Sequence, residues 1–246
     1  MRFDILTLFP DMMRAILDES IIGRAQNSGI LEINCINIRD FAGNKHNSVD
    51  DYPYGGGFGM LMQAPPIYRA YESVAGEDKP YTVYMSPQGR VLTQDKVVEL
   101  SKKDRIVILC GHYEGVDERV IEEIVDEEIS IGDYVLTGGE LPAAVLVDSV
   151  ARMVEGVLPQ SESFEEESIY SGLLEHPQYT RPPVFMGREV PEVLMSGHHA
   201  NIEKWKRKEA LKRTYIKRPD LLKSAELTDK DRKMLDEIIG ELESEA

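Results

Sequence analysis

The chain has 246 residues, 42% of them hydrophobic, which is enough for one or two domains with a buried core. Its net charge of −16 excludes a uniformly basic nucleic-acid-binding surface, although a local basic patch is still compatible with that charge. Two cysteines, Cys35 and Cys110, cannot form a disulfide framework and lack metal-ligand spacing, so we expect a cytoplasmic protein with reduced thiols.

The N-terminal segment predicts a buried strand and not a signal peptide. It carries Asp4 within its apolar stretch and has no long hydrophobic region followed by a small-residue cleavage site. Apolar runs elsewhere stay far below the ~18 residues that would suggest a membrane span. We therefore expect no membrane partner.

The first two thirds of the chain alternate predicted strands with predicted helices. Strands are predicted at 3–9, 31–38, 81–85, 105–110 and 128–136, and helices at 10–26, 93–103, 117–128 and 141–154. Between 39 and 62 no regular periodicity is present, and a loop of that length in a compact domain is usually functional. This alternation predicts an α/β domain at 1–157, with a parallel sheet covered by helices.

The composition changes after Gly156. Residues 158–172 are polar and acidic without periodicity, which predicts an inter-domain linker. Residues 173–246 predict a helical domain with helices at 200–218 and 227–243, the second with Thr228 as its N-cap. Between 203 and 223 the chain has nine basic and three acidic residues, so this domain carries a basic patch that suits a polyanion.

Three glycine-containing loops follow the later predicted strands: SPQGR at 86–90, CGHYEGVDER at 110–119 and IGDYVLTGGELP at 131–142. Neighbouring parallel strands deliver such loops to one crevice at their carboxyl ends. The loops contain no lysine, and Arg90 and Arg119 are their only bases, whereas a triphosphate site normally requires a lysine. An acidic, glycine-lined pocket suits an uncharged or a cationic ligand. A sulfonium is one such cation.

Three further motifs accompany these loops: DDYPYGGGFGM, GLLEHPQYTRPPVF and PEVLMSGHH. In their order and spacing, the six motifs resemble those of the bacterial tRNA (guanine-N1)-methyltransferases, the TrmD family of the SPOUT class. The resemblance covers nearly the whole chain. It implies a knotted (trefoil) parallel-sheet α/β methyltransferase domain followed by a small all-α C-terminal domain. It also implies a homodimer with S-adenosyl-L-methionine bound in the knot. The implied reaction is methylation of tRNA at N1 of guanine 37, next to the anticodon, when a guanine precedes it.

The resemblance assigns two catalytic roles. Guanine N1 carries a proton, so the reaction needs a general base near N1 and a cation for the charge that develops on O6. The matching arginine is Arg152, and an ungapped match places Glu167 at the carboxylate, where many members have aspartate. Glu162 is the alternative register for the base.

The resemblance also implies binding residues. The cofactor-binding set is Tyr84, Ser86, Pro87, Gln88, Gly111, Tyr113, Glu114, Gly115, Ile131, Gly132, Tyr134, Leu136, Gly138, Gly139 and Pro142. The RNA-binding set is His46, Asp50 and Gly59 in the long loop, and Lys204, Arg207, Lys208 and Arg213 in the basic helix. Family members need Mg²⁺, but no ligand spacing in this chain locates a metal site. The adjacent His198 and His199 point in different directions on a helix or strand, so we predict no metal site.

Three other functions fit parts of the pattern. A knotted methyltransferase acting on another RNA atom, such as a ribose 2′-hydroxyl, would need no base for N1. A nucleotide-phosphate-binding regulator would use the same loops, although the missing lysine argues against it. A non-catalytic adaptor would use the glycines as turns and would not bind S-adenosylmethionine. We expect tRNA, and not DNA, as the nucleic-acid partner.

Overall fold

A computed structural model of the chain describes residues 1–77, 79–158, 168–170 and 172–245. The chain divides into two compact units, Met1–Gln160 and Ser161–Ala246. The predicted linker at 158–172 lies largely outside the described residues, so its boundaries stay a prediction. In the described part of the chain, no helix is both long enough and apolar enough to cross a membrane.

The first unit is an α/β domain built on a parallel sheet. Its strands are β1 (Arg2–Thr7), β2 (Glu32–Asn37), β3 (Asp50–Asp51), β4 (Leu61–Met62), β5 (Tyr81–Val91), β6 (Arg105–Cys110) and β7 (Glu127–Ser130). Its helices are α1 (Pro10–Leu17), α2 (Ser20–Asn27), α3 (Ala64–Ala75), α4 (Gln94–Ser101), α5 (Glu118–Ile124) and α6 (Glu140–Ala151). The sheet has the order β2-β1-β6-β5-β7 with every pairing parallel, whereas β3 and β4 form a separate antiparallel pair. The predicted parallel sheet is confirmed.

Helices bury both faces of this sheet. On one face α1, α2, α4 and α6 pack against side chains such as Phe3, Ile5 and Ile108, and on the other α3 and α5 pack against Leu6 and Leu109. Strands covered on both sides read as continuous apolar runs, which is why β6 has the sequence RIVILC.

Asp4 is fully buried in β1 and is nevertheless satisfied. Its carboxylate accepts hydrogen bonds from Arg2, from Asn34 on β2 and from Arg105 on β6. A buried carboxylate is tolerated when charged donors surround it in this way. This network explains how an acid occupies an otherwise apolar first strand.

The single helix predicted at 10–26 is wrong. The chain forms α1 and α2, because Glu19 is extended and Ser20 has a φ of 55°. At Gly23 a Cβ atom would lie 2.0 Å from the carbonyl oxygen of Asp18, so the sharp turn between the helices needs a glycine there. Helix α3, with proline in its first turn, was not predicted.

The second unit is mainly helical, with α7 (Glu192–Met195), α8 (His199–Lys217) and α9 (Asp229–Glu245). Leu173, Leu211 and Ile238 form its core. The expectation of an all-α domain is corrected by a short antiparallel hairpin of β8 (Val184–Phe185) and β9 (Arg188–Glu189). The two residues between these strands both have positive φ, as tight hairpins require.

A polar cluster joins α8 to the start of α9. Two guanidinium nitrogens of Arg207 donate to the Asp231 carboxylate, at 2.7 and 2.9 Å. The amide and hydroxyl of Thr228 donate to the same carboxylate, and the Asp231 amide donates back to the Thr228 hydroxyl, which confirms the predicted N-cap. The hydrogen bonds from Arg207, and then those from Thr228, hold the pKa of Asp231 well below its usual 3.8.

We expect Asp231→Asn to lower the unfolding free energy of this unit by about 1–3 kcal/mol at neutral pH, because it removes the charge that these donors share. Because the folded pKa is depressed, the contribution of Asp231 is fully present above its unfolded pKa near 3.8. The difference between wild type and variant should therefore shrink as the pH falls below about 4. Trp205, the single tryptophan, reports on this unit by fluorescence. If the difference in unfolding free energy between wild type and Asp231→Asn did not change with pH, the ionised Asp231 carboxylate would not be the source of the stabilisation.

Candidate functional site

A pocket of about 270 Å³ opens beside the middle of β5 and at the carboxyl ends of β6 and β7. Three chain segments form it: residues 84–88 within β5, residues 111–121 after β6, and residues 128–142, which include the loop after β7. All fifteen residues predicted to hold the cofactor line it: Tyr84, Ser86, Pro87, Gln88, Gly111, Tyr113, Glu114, Gly115, Ile131, Gly132, Tyr134, Leu136, Gly138, Gly139 and Pro142. Parallel strand order brings distant segments of the sequence to one edge of the sheet.

The first wall is an irregularity within β5. Both Met85 and Arg90 align with Ile129 of β7, so residues 86–89 leave the ladder between two stretches of regular pairing. The amide of Gln88 donates to the hydroxyl of Ser86 and closes a local turn. Strand β5 is therefore longer than predicted, and three residues of its irregular stretch, Ser86, Pro87 and Gln88, line the pocket.

The second wall is the loop after β6. At Gly111 a Cβ atom would lie 2.8 Å from the Tyr84 hydroxyl, so this position has no space for a side chain. Tyr113 has a φ of 60°, a strained conformation for a non-glycine residue, and its hydroxyl accepts a hydrogen bond from Arg39. The loop is held by β4, since the Met62 amide donates to the Gly115 carbonyl at 2.9 Å.

The third wall is the segment from Ile131 to Gly139, which turns back onto the second. The Gly139 amide donates to the Gly111 carbonyl at 2.8 Å, and His112 forms an isolated antiparallel bridge with Gly138. At Gly139 a Cβ atom would lie 2.8 Å from the Cα of Cys110. The two loops therefore approach each other at backbone distance.

A buried polar group lies beneath this junction. Glu140, the first residue of α6, is 3% exposed, and its carboxylate accepts a hydrogen bond from the Thr7 hydroxyl at 2.7 Å. The Nδ1 atom of His112 is also buried, and it has no hydrogen-bond partner in the described residues. This nitrogen and the second oxygen of Glu140 both lie 2.6 Å from the position where a Cβ atom of Gly138 would stand. The sequence pattern predicts no role for Glu140 or His112. The one sequence signal that could have indicated Glu140 is its position directly after the glycine pair 138–139.

The pocket is acidic. Its lining includes Glu114, Glu118 and Glu128 and, among the residues that the structure describes, no lysine or arginine. Burial, and then the charges of Glu128 and Glu118, raise the pKa of Tyr84 to about 12, so its hydroxyl keeps its proton at neutral pH. Such a lining attracts a cation and repels a phosphate.

Of the two predicted catalytic residues, the structure describes Arg152, which does not line this pocket. Arg152 follows the last residue of α6, and Pro142 at the other end of that helix lines the pocket. At a rise of ~1.5 Å per residue, their Cα atoms are about 15 Å apart. Glu167 and its alternative Glu162 lie outside the described residues.

The predicted RNA-binding residues of the first unit belong to the segment around β3 and β4. His46 is exposed, and Asp50 is half-buried in β3. Gly59 has a φ of +85° and lies against Glu114, where a Cβ atom would be 2.5 Å from that side chain. Of the three, Gly59 is thus the one in contact with a residue that lines the pocket.

The predicted RNA-binding residues of the second unit lie on α8, and two of them are already paired. Arg207 is bound to Asp231, and the Lys208 ammonium lies 2.7 Å from the Glu241 carboxylate. Lys204 is exposed and Arg213 half-buried. Among the described residues, no group of three or more His, Cys, Asp or Glu side chains is arranged to hold a metal ion.

Comparison with known proteins supplies the family. Residues 1–224 match the family model described as tRNA (Guanine-1)-methyltransferase TrmD. The chain belongs to this family. It is 60% identical to the tRNA (guanine-N(1)-)-methyltransferase of Ruminiclostridium cellulolyticum over 223 residues, which is 90% of this chain and 96% of that one. It is 52% identical to the protein of the same name from Dictyoglomus turgidum over 245 residues, covering 100% of this chain and 99% of that one. The relative of the same name from Alkaliphilus oremlandii is 56% identical over 241 residues, which is 95% of this chain and 97% of that one.

We expect Gly139→Ala to lower the unfolding free energy of the first unit by about 1–3 kcal/mol, because the new methyl group would overlap backbone atoms that cannot rotate away. Urea unfolding followed by circular dichroism measures this. The matched control is Gly240→Ala on α9, where nothing lies within 4 Å of the new Cβ atom. That change should raise helix stability by about 0.5–1 kcal/mol. Equal effects at both positions would contradict the close loop contact.

Proposed function

We propose that this protein transfers a methyl group from S-adenosyl-L-methionine to N1 of guanine 37 of a tRNA. The observation that carries the proposal is the acidic pocket, formed by the same three loops that resemble the family. In the described part of the chain its lining has no lysine or arginine, which argues against the alternative of a nucleotide-phosphate-binding protein.

The residues of the pocket fit S-adenosylmethionine, which when bound supplies a methyl group on a positively charged sulfur. Glu114, Glu118 and Glu128 provide negative charge for its cationic portion. Gly138 and Gly139 line the pocket, where their backbone groups can contact the adenosine portion. The protonated Tyr84 hydroxyl remains available as a hydrogen-bond donor.

Glu167 is the proposed general base. It would accept the N1 proton of guanine, which leaves an electron pair on N1 for the methyl group that bound S-adenosylmethionine would supply. Arg152 stabilises the negative charge that develops on O6. Glu162 is the alternative base, and both glutamates lie outside the described residues.

A homodimer is part of this proposal. Arg152 is about 15 Å along α6 from Pro142, so a second copy of the chain is the natural source of the arginine for each pocket. An exposed apolar surface suited to such a contact is present on two helices that pack together: Met12 and Ile16 on α1, and Leu141 and Val145 on α6. Exposed apolar pairs of this kind mark interfaces.

The remaining features of the family are proposed on the same basis. The contact of loop 131–139 with Gly111 and His112 supports the trefoil knot, which an experimental structure of the chain would test directly. The basic helix α8 supports a tRNA-binding role for the second unit. We propose a cytoplasmic location because tRNA is modified there. Mg²⁺ remains a proposed cofactor without an assigned site.

The decisive experiment incubates the protein with labelled S-adenosylmethionine and unmodified tRNA transcripts that have guanine or adenine at position 37. We expect N1-methylguanine with the first transcript and no product with the second, as determined by nucleoside mass spectrometry. Label on a ribose hydroxyl, or on another base, would support the alternative methyltransferase and refute this proposal.

Glu167→Gln should abolish turnover while leaving the affinities for S-adenosylmethionine and tRNA close to wild type, because the amide keeps the shape but cannot accept the proton. We expect a loss of at least about 100-fold in kcat, the usual contribution of a general base. Glu162→Gln is the matched control in the same acidic segment and should retain activity. The reverse result would transfer the role to Glu162.

The same variant tests the dimer. Glu167→Gln mixed with Gly132→Ala, which strains a pocket backbone with a φ of +149°, should regain part of the activity that each lacks alone. Recovery is expected because, in this proposal, the second copy supplies Glu167 together with Arg152, so a mixed dimer contains one intact pocket that faces one intact base. No recovery, under conditions where the subunits exchange, would contradict a site shared between two chains.

A further inference from the structure

Two aromatic side chains in the loop between β3 and β4 lie entirely in solvent. Tyr54 is 100% exposed and Phe58 is 99% exposed, and the neighbouring Tyr52 is 78% exposed. Aromatic side chains in folded proteins usually bury about 150–250 Å² each. A pair left in water on one short loop therefore indicates a surface that a partner covers.

The backbone of this loop keeps the rings away from the core. Gly55, Gly56 and Gly57 have φ angles of +88°, +79° and +135°, conformations that residues with side chains rarely adopt. The Gly56 amide donates to the Pro53 carbonyl and closes a turn around Tyr54. The exposure of the rings is thus a consequence of a defined turn.

The loop is attached to the edge of the acidic pocket. The Glu114 amide donates to the Met60 carbonyl at 3.0 Å, and Gly59 lies directly against the Glu114 side chain. Glu114 lines the pocket, and Phe58 is the residue immediately before Gly59. A ligand that enters the pocket past Glu114 therefore passes close to the aromatic loop.

The charge of this region selects the part of an RNA that it can contact. From Tyr52 to Met60 no side chain is charged at neutral pH, and the adjoining wall carries Glu114 and Glu118. The exposed Arg119 lies near Tyr54, but its guanidinium is paired with the Asp117 carboxylate. Phosphates gain nothing from such a surface, whereas the uncharged faces of nucleobases stack well on aromatic rings. Only unpaired bases expose these faces, as the bases of a hairpin loop do.

We propose that Tyr54 and Phe58 stack on unpaired bases of the tRNA anticodon loop, next to the guanine that enters the pocket. This inference rests on the proposed function, because it takes tRNA as the substrate. An RNA partner is favoured over a protein partner because the loop is continuous with the edge past which the substrate base must move. The rings would position the RNA and would not take part in methyl transfer.

The test compares tRNA affinity, measured by anisotropy of a labelled unmodified tRNA, with S-adenosylmethionine affinity, measured by calorimetry. The double variant Tyr54→Ala, Phe58→Ala should bind tRNA about 10- to 100-fold more weakly, with cofactor affinity and thermal stability unchanged. Tyr54→Phe and Phe58→Tyr keep a ring and should bind like wild type. Leucine at both positions keeps apolar volume without a planar face and should not restore affinity.

Tyr68→Ala is the matched control, because it removes a partly exposed tyrosine from α3, outside the loop. It should leave tRNA affinity unchanged. Wild-type tRNA affinity of the double alanine variant would overturn the proposal, and so would rescue by leucine. Loss of cofactor affinity would assign the loop to the pocket instead, and an altered oligomeric state without RNA would assign it to a protein contact.

These results separate this inference from the proposed function. The binding measurement needs no methyl transfer, so a wild-type protein that binds tRNA through the loop but forms no N1-methylguanine would refute only the proposed function. A wild-type protein that forms N1-methylguanine, with alanine variants that bind equally well, would refute only the stacking role.

Discussion

The close approach of Gly139 to Gly111 is the constraint on which the pocket depends. Their backbones share a 2.8 Å hydrogen bond, and no side chain fits between Gly139 and Cys110. Because α6 begins at the next residue, this contact also fixes the helix against β6. The Thr7 hydroxyl then satisfies the buried carboxylate of Glu140 from the end of β1. A single junction thus connects two strands, one helix and two of the three walls.

That the three glycine-containing segments meet in one pocket could be predicted from the sequence for a physical reason, whereas the individual lining residues came from the resemblance to the family. Two of the three lining segments follow the ends of β6 and β7, and parallel strands bring such ends together whatever the intervening sequence is. The partnership of Thr7 with Glu140 spans 133 residues and has no local pattern, so only the folded chain reveals it. The bulge at 86–89 was equally invisible, because it arises from the pairing of β5 with β7 on both sides of the irregularity. The turn at Ser20 escaped prediction because the helical periodicity continues through it.

The count of basic residues on α8 overstates the positive charge available to a polyanion. Arg207 is committed to Asp231, and Lys208 to Glu241. Arg207 in particular has a structural partner that is almost fully buried, so its removal would disturb the unit as well as any RNA contact. Among the residues predicted to bind RNA, Lys204 has the most accessible charge. The positive charge available to a polyanion therefore depends on how many basic side chains are unpaired with acids, and a count of basic residues cannot show this.

This distribution of charge bears on how an acidic protein can act on tRNA. The pocket rejects phosphate but suits a cationic donor, and the glycine-rich loop beside it offers uncharged aromatic faces. Contacts to bases and contacts to phosphates would then fall on different parts of the chain. Stacking depends little on salt, whereas phosphate contacts weaken steeply as salt rises. A net charge of −16 is compatible with RNA binding when affinity near the reacting base comes from aromatic surface and the few accessible cations lie elsewhere.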